Sequence, residues 1–189
     1  NNVSDAAAGK TLKVIAWNLE RGRHWREAAS LLKQSSALRD PDVLLLSEMD
    51  NGMDRTGNAH TTAELARLLG MNYAYVVEFL ELDQGNNIEA TLAKSELGYH
   101  GNAILSRYPL RNVRALRFPG IETWYGADEH RLGGRNAIFA EIEAAGKKIT
   151  LVSTHLESGA FDNALRAQQV NYILDEIKRH AADQPVILG

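Results

Sequence analysis

Two short runs, residues 11–18 (TLKVIAWN) and 42–48 (DVLLLSE), carry apolar side chains on both faces, and a single helical pattern separates them. A strand of that kind needs cover on both sides, as in the middle of a layered α/β structure. The helical pattern begins at Arg26 and recurs through Ala28, Ala29, Leu31, Leu32 and Leu38. Asp40-Pro41 ends it, because the residue before a proline is pushed out of the helical region. Strand, helix and strand within about forty residues make a βαβ unit, whose strands pair in parallel.

The remaining segments must be arranged around that unit. Residues 51–60 (NGMDRTGNAH) form a polar loop, after which Thr61 is placed to cap a short helix carrying Leu65, Leu68 and Leu69, with Gly70 as its stop. Residues 73–82 read as a strand, and 84–98 as a polar, acidic surface loop or short helix. Strands follow at 102–106 and 113–118, linked through Pro109, and a hairpin joins 137–143 to 148–154 through residues 144–147. A helix from about residue 161 to 180 presents Leu165, Val170, Ile173, Leu174 and Ile177, and Pro185 opens a last strand. There is no internal repeat, low-complexity tract or linker, so residues 11–189 read as one domain behind a flexible segment, 1–10. The mixed order favours two stacked sheets with helices outside them.

Cysteine is absent, which removes disulfides, zinc–thiolate sites and thiol nucleophiles and leaves oxygen or imidazole as ligands for any metal. Lys and Arg total 21 against 24 Asp and Glu, a net charge of −3, so no global basic field draws the chain to polyanions. No apolar run approaches the roughly 18 residues of a membrane span. The small, polar start carries no signal peptide, although a removed one would leave a start much like it, so the compartment stays open.

Chemistry is expected at strand ends. Asn18 and Glu48 close the two strands of the βαβ unit, so parallel pairing sets an amide beside a carboxylate at the edge where α/β sheets bind ligands. Such oxygen donors suit Mg²⁺, Mn²⁺ or Ca²⁺, while a turn-capping Asn18 and a solvated Glu48 are the plain alternative. His155 follows the apolar run 149–154 and could act on a phosphate as acid or electrostatic stabiliser, or be a half-buried histidine held by a loop carbonyl. Glu157 is placed either to orient that ring or to be surface charge. Tyr99, His100, Gly101 and Asn102 open a further strand, and Arg131, Gly133, Gly134, Arg135 and Asn136 precede the hairpin, arginine being well suited to phosphate oxygens. Arg107, Arg111, Arg114 and Arg117 are the only formal charges between Leu97 and Ile121, either a phosphate-facing patch or a solvated face.

In order along the chain, VIAWNLERG, PDVLLLSEMD, YHGNAILSRYPL, EHRLGGRNAIFAEI and VSTHLES resemble the endonuclease/exonuclease/phosphatase superfamily. The resemblance implies a four-layer α/β/β/α sandwich of the DNase I-like kind and divalent-metal-assisted attack of water on a phosphate ester. It implies Glu48 as the metal carboxylate, with Asn18 beside it in the metal shell or at the phosphate, and Mg²⁺ as the ion, with Mn²⁺ or Ca²⁺ as substitutes. It further implies Tyr99 and Asn102 at the reacting phosphate, Arg135 and Asn136 as phosphate-binding groups, and His155 assisting at the phosphate or leaving group.

The superfamily's Asp-x-Asn motif, which follows a strand like Pro185–Gly189, does not occur in this sequence. The resemblance therefore leads one to expect a second sheet incomplete at its carboxyl end, little or no turnover by these residues alone, and self-association through the open sheet edge. Two readings stay open: a phosphodiesterase or phosphomonoesterase of which this is the larger part, or a non-catalytic remnant that binds phosphate ligands or a partner. Nucleic acid, phospholipid and inositol phosphate are the candidate substrates.

Overall fold

The computed structural model describes residues 11–82, 95–119, 130–159 and 162–189. The expected amino-terminal segment, most of the expected loop at 84–98 and Phe161, where the last helix was expected to begin, lie outside that set. Nine strands and three α-helices occur among the described residues: β1 (Val14–Asn18), α1 (Trp25–Gln34), β2 (Val43–Asn51), α2 (Thr61–Leu69), β3 (Asn72–Glu81), β4 (Tyr99–Ser106), β5 (Arg111–Arg117), β6 (Arg131–Gly133), β7 (Asn136–Ala144), β8 (Lys147–Thr154), α3 (Asn163–His180) and β9 (Val186–Leu188). They form a five-stranded sheet in the order β1-β2-β4-β3-β6 and a four-stranded sheet in the order β5-β7-β8-β9. The βαβ unit is present, with β1 parallel to β2 and Asn18 opposite Ser47.

Strand alternation builds the layers. In β2, Val43 and Leu45 point between the sheets, meeting Ile138, Ala140 and Ile142 of β7 and Leu151 of β8. Leu44 and Leu46 point the other way, onto Ala28, Ala29 and Leu32 of α1 and Leu65 of α2. Across the second sheet, Phe139 and Val152 turn outward onto Ile173 of α3. Helices, sheet, sheet and helix therefore stack as the four layers α/β/β/α. All of these residues from β2, β7 and β8 are at most 2% exposed, so the packing fixes how the two sheets sit on each other.

Several elements differ from the sequence expectation for identifiable reasons. Thr61 does not cap α2; it is the first helical residue, and its hydroxyl donates to the Asp50 carbonyl at 2.8 Å, tying the helix to the end of β2. Gly70 does stop α2, in the left-handed conformation that glycine adopts without strain. The buried side of α3 is Gln169, Ile173 and Glu176, whereas Leu174 is exposed. Polar residues take that side because Gln169 and Glu176 find partners there, described below. β6 was not anticipated: its three residues extend the first sheet by pairing with Phe79–Glu81. β9 borders the second sheet where self-association was expected, and three residues make that a short edge. Among the described residues no helix is long and apolar enough to cross a membrane.

Candidate active site

β1 and β2 run parallel and β4 runs antiparallel to β2, so the ends of β1 and β2 and the start of β4 share one edge of the first sheet. The end of β8, with His155 just beyond it, reaches the same edge of the structure. There the amide Nδ2 of Asn18 donates to Glu48 Oε1 at 2.8 Å, and His155 Nε2 lies 3.4 Å from both that oxygen and Asn18 Nδ2. Three residues from three segments thus converge, as their strand-end positions led one to expect.

Local backbone geometry aims Glu48. The β2–β4 ladder breaks between Leu46 and Met49, leaving Ser47 and Glu48 in a bulge, and Glu48 has φ +56°. A bulge re-aims a side chain, and positive φ in a residue other than glycine is a cost retained where the surroundings enforce it. Asn18 is held in turn by its loop: its Oδ1 accepts the Glu20 backbone N–H at 2.9 Å, within a tight turn where Glu20 and Arg21 also have positive φ. That oxygen holds the amide in place through the Glu20 N–H, and the amide presents its NH₂ to Glu48. Flipping the amide would set two donors against each other at Glu20, so the orientation is internally consistent.

Behind these residues lies a buried polar layer. Arg135, 6% exposed, donates to His155 Nδ1, to Glu78 Oε2 at 3.4 Å and to Ser158 Oγ at 3.3 Å, with the Phe79 ring 5.2 Å away. Its Nη1 and Nη2 are thus bonded to protein groups, while its buried Nε has no hydrogen-bond partner among the described residues. Asn136 is also buried; its Nδ2 donates to the Val77 carbonyl at 2.9 Å and its backbone N–H to Glu78 Oε1 at 3.4 Å. Asn102, fully buried, donates to Asn136 Oδ1 at 3.2 Å. The Asn102–Asn136 pair clamps β4 of one sheet to β7 of the other, so neither residue faces the site as expected. Tyr99 is half-buried at the start of β4, opposite Asn51, at the edge shared with Glu48.

A second buried group flanks the first. Asp50, with no exposed surface, accepts Arg55 Nε at 2.6 Å and Nη2 at 2.9 Å, and lies 2.8 Å from His100 Nδ1. Arg55 Nη2 also approaches Glu81 Oε1 at 3.8 Å. This group fixes the 51–60 loop against the end of β2. On the far side, α3 secures the segment after β8: Gln169 Oε1 accepts the Glu157 N–H at 2.9 Å, and Arg166 donates to the carbonyls of Glu157 and Gly159. The Glu157 carboxylate turns to the Ser158 N–H, which leaves Arg135 as the group that meets His155 Nδ1.

Electrostatics follow from this burial. The His155 pKa is pushed down to about 4, first by desolvation and next by the Arg135 guanidinium, with Glu48 pulling the other way. Burial raises that of Glu78, opposed by Arg135 and His100. Of the arginine-bearing stretch, Arg111 and Arg117 are exposed, whereas the other two are engaged by the protein. Arg107 donates to the Pro41 carbonyl and reaches Asp40, and Arg114 binds Glu176 at 3.1 Å and lies over Phe139.

Sequence reasoning missed Asp50, Glu78 and Ser158 as contributors. Glu78 had a signal, an acid inside the apolar strand run YVVEFLE, where a buried partner was implied.

Comparison with known proteins extends this picture. Zebrafish (D. rerio) TDP2 complexed with a single-strand DNA product matches at 20% identity with a TM-score of 0.63, over 95% of this chain and 60% of that one. The human Nocturnin catalytic domain with bound sulfate matches at 19% identity and 0.63, over 94% and 62%. A β-hairpin deletion mutant of beta toxin from Staphylococcus aureus matches at 21% and 0.62, over 96% and 66%. These likenesses establish the DNase I-like fold, and the chain spans just under two thirds of each of these three neighbours. No curated protein sequence matches it. The sequence profile of the Endonuclease/Exonuclease/phosphatase family matches residues 15–189, from β1 to the last residue, and the chain belongs to that family.

Proposed function

We propose that the protein carrying this chain hydrolyses phosphate esters with the aid of a divalent cation, and that Asn18, Glu48 and His155 form the part of its active site built here. The convergence of these three side chains at one edge is the observation that carries the reading. Family membership supports it, since enzymes of this family act on phosphate esters and generally use divalent metals.

The residues fit such an ion in a particular way. Among the described residues no three histidine or acidic side chains cluster as a ready-made metal cage. Glu48 is the one carboxylate brought to the convergence point, 24% exposed, with an amide and an imidazole beside it. One carboxylate supplemented by water and substrate oxygens suits Mg²⁺, which keeps much of its hydration, better than Ca²⁺, which takes six to eight oxygen ligands. Glu48 would hold the ion, which when bound polarises the phosphoryl oxygens and offsets charge developing on them.

The chain's own residues supply the rest. The Asn18 NH₂, fixed through its oxygen to Glu20, donates to a phosphate oxygen in place of Glu48. His155, kept uncharged at neutral pH, places Nε2 at the same point. Fixed donors aimed at developing charge lower the barrier because they need no reorganisation during the reaction. With a net charge of −3 the chain has no global basic field of the kind that favours tight duplex-DNA binding. The reading is therefore framed by the phosphate ester rather than by a nucleic acid.

The test uses the natural full-length protein. Mg²⁺-stimulated hydrolysis of bis(p-nitrophenyl) phosphate is expected, and Glu48→Gln is expected to abolish it; unchanged hydrolysis in that variant rejects Glu48 as the metal-holding group. Plasmid DNA, sphingomyelin and an inositol phosphate offered in parallel identify the substrate class. A full-length protein that binds these ligands without turnover on any of them would establish the non-catalytic reading instead.

A further inference from the structure

The two ring nitrogens of His155 stand in opposite company. Nδ1 faces the guanidinium of Arg135, which has donors and no lone pair to offer. A nitrogen in that position must be the acceptor, so it carries no proton. Nε2 lies 3.4 Å from both Glu48 Oε1 and Asn18 Nδ2, an acceptor and a donor at equal range, so the contact at Nδ1 is the one that decides: with Nδ1 unprotonated, the proton of the neutral ring sits on Nε2.

Arg135 is fastened where it stands. Glu78, with no exposed surface, receives Nη1 on Oε2, while its other oxygen takes the Asn136 backbone N–H; Ser158 receives Nη2, and the Phe79 ring lies against the guanidinium. Swinging Arg135 toward solvent would strand the Glu78 carboxylate in the interior, a costly change. The guanidinium is thus a fixed donor for the histidine.

We propose that Arg135, anchored by Glu78, is a positioning residue that locks His155 in the neutral Nε2–H tautomer, so that the ring meets a phosphate as an N–H donor. A carboxylate at Nδ1 does the reverse, holding the proton on Nδ1 and freeing Nε2 as a base. With arginine in that place, His155 joins the Asn18 NH₂ as a second neutral donor aimed at one anion seat, and water activation falls to another group. The catalytic consequence rests on the phosphoesterase reading; the tautomer itself does not.

The tautomer can be read with no substrate or metal, by long-range ¹H–¹⁵N correlation on the ¹⁵N-labelled chain at pH 7. The expected result is a protonated, pyrrole-like Nε2 and an unprotonated, pyridine-like Nδ1 for His155. In Arg135→Met the Nδ1 signal should move toward the tautomer-averaged position. Arg135→Lys, which keeps a donor, should restore the shift in part. Glu78→Gln serves as second variant if Arg135→Met does not fold, and should also move Nδ1 toward averaging. A pyrrole-like Nδ1 in the wild type, or an Nδ1 signal indifferent to folded Arg135 and Glu78 variants, overturns the lock. Absence of hydrolysis with the Nε2–H tautomer present rejects the proposed function alone, and hydrolysis with the opposite tautomer rejects the lock alone.

Discussion

Asn18 gives its amide nitrogen to Glu48 at 2.8 Å while its amide oxygen is held by the Glu20 backbone. The side chain is oriented before any ligand arrives, with its donor end toward Glu48. Asn18→Asp keeps the shape but sets a second carboxylate against Glu48 and removes the donor. Loss of one fixed donor to developing negative charge costs roughly 10²–10³ in kcat. A fall of that size is expected in the full-length enzyme, measured with bis(p-nitrophenyl) phosphate at saturating Mg²⁺. If the oxygen of Asn18 were the metal ligand, Asn18→Asp would instead tighten Mg²⁺ dependence and retain activity.

His155 links the site to stability. Its pKa falls from 6.5 in a free chain to about 4 in the fold, because burial and Arg135 disfavour the charged ring. The unfolded chain therefore takes up a proton first as pH drops. The stabilisation is fully present above pH 6.5, declines as pH falls below it, and is lost once pH has passed through about 4. Glu78, whose pKa burial raises, works in the opposite sense: its contribution is present below its unfolded value and lost as pH rises through the folded one. The His155 share is thus isolated by difference. Urea midpoints of wild type and His155→Gln should converge as pH falls from 7 to 4, and parallel curves would contradict the depressed value.

The Asp50 carboxylate is expected to matter for folding more than for catalysis. It answers Arg55, whose side chain is 2% exposed, through two short hydrogen bonds and also meets His100. Removing one partner of a buried pair leaves the other charge uncompensated, at about 3–5 kcal/mol. Asp50→Ala should lower the unfolding free energy by that amount in urea titrations.

These residues show what spacing in a sequence can and cannot convey. Asn18, Glu48 and His155 each follow an apolar strand run, and strand direction alone carries them to one edge. Two stacked sheets with outer helices were legible from the runs that are apolar on both faces and from the mixed order of elements, while the four-layer order came from the family resemblance. The partners of Arg135 were not legible because the turn of a guanidinium depends on Glu78, 57 residues earlier, and on Ser158, neither marked by local pattern. Arg114 was misread likewise: its partner Glu176 lies on α3, 62 residues on, and no local count of charges shows that the two meet.

Gly101 tests how closely β3 and β4 approach behind the site. A Cβ added there would lie 1.9 Å from the Val76 carbonyl oxygen and 3.1 Å from the Glu78 backbone nitrogen, both main-chain atoms that cannot rotate aside. Alanine must therefore part the two strands beside the bulge between Val77 and Phe79, where Glu78 is set. Gly57 is the control: its φ is +65°, and an added Cβ would meet nothing within 4 Å. Gly57→Ala should cost only the left-handed backbone penalty, roughly 1–2 kcal/mol. Gly101→Ala should reach the upper end of overpacking costs, about 3 kcal/mol, and loosen Glu78 as well. Urea unfolding of the two variants ranks them, and a Gly101→Ala protein as stable as Gly57→Ala would show that β3 and β4 are not packed this tightly.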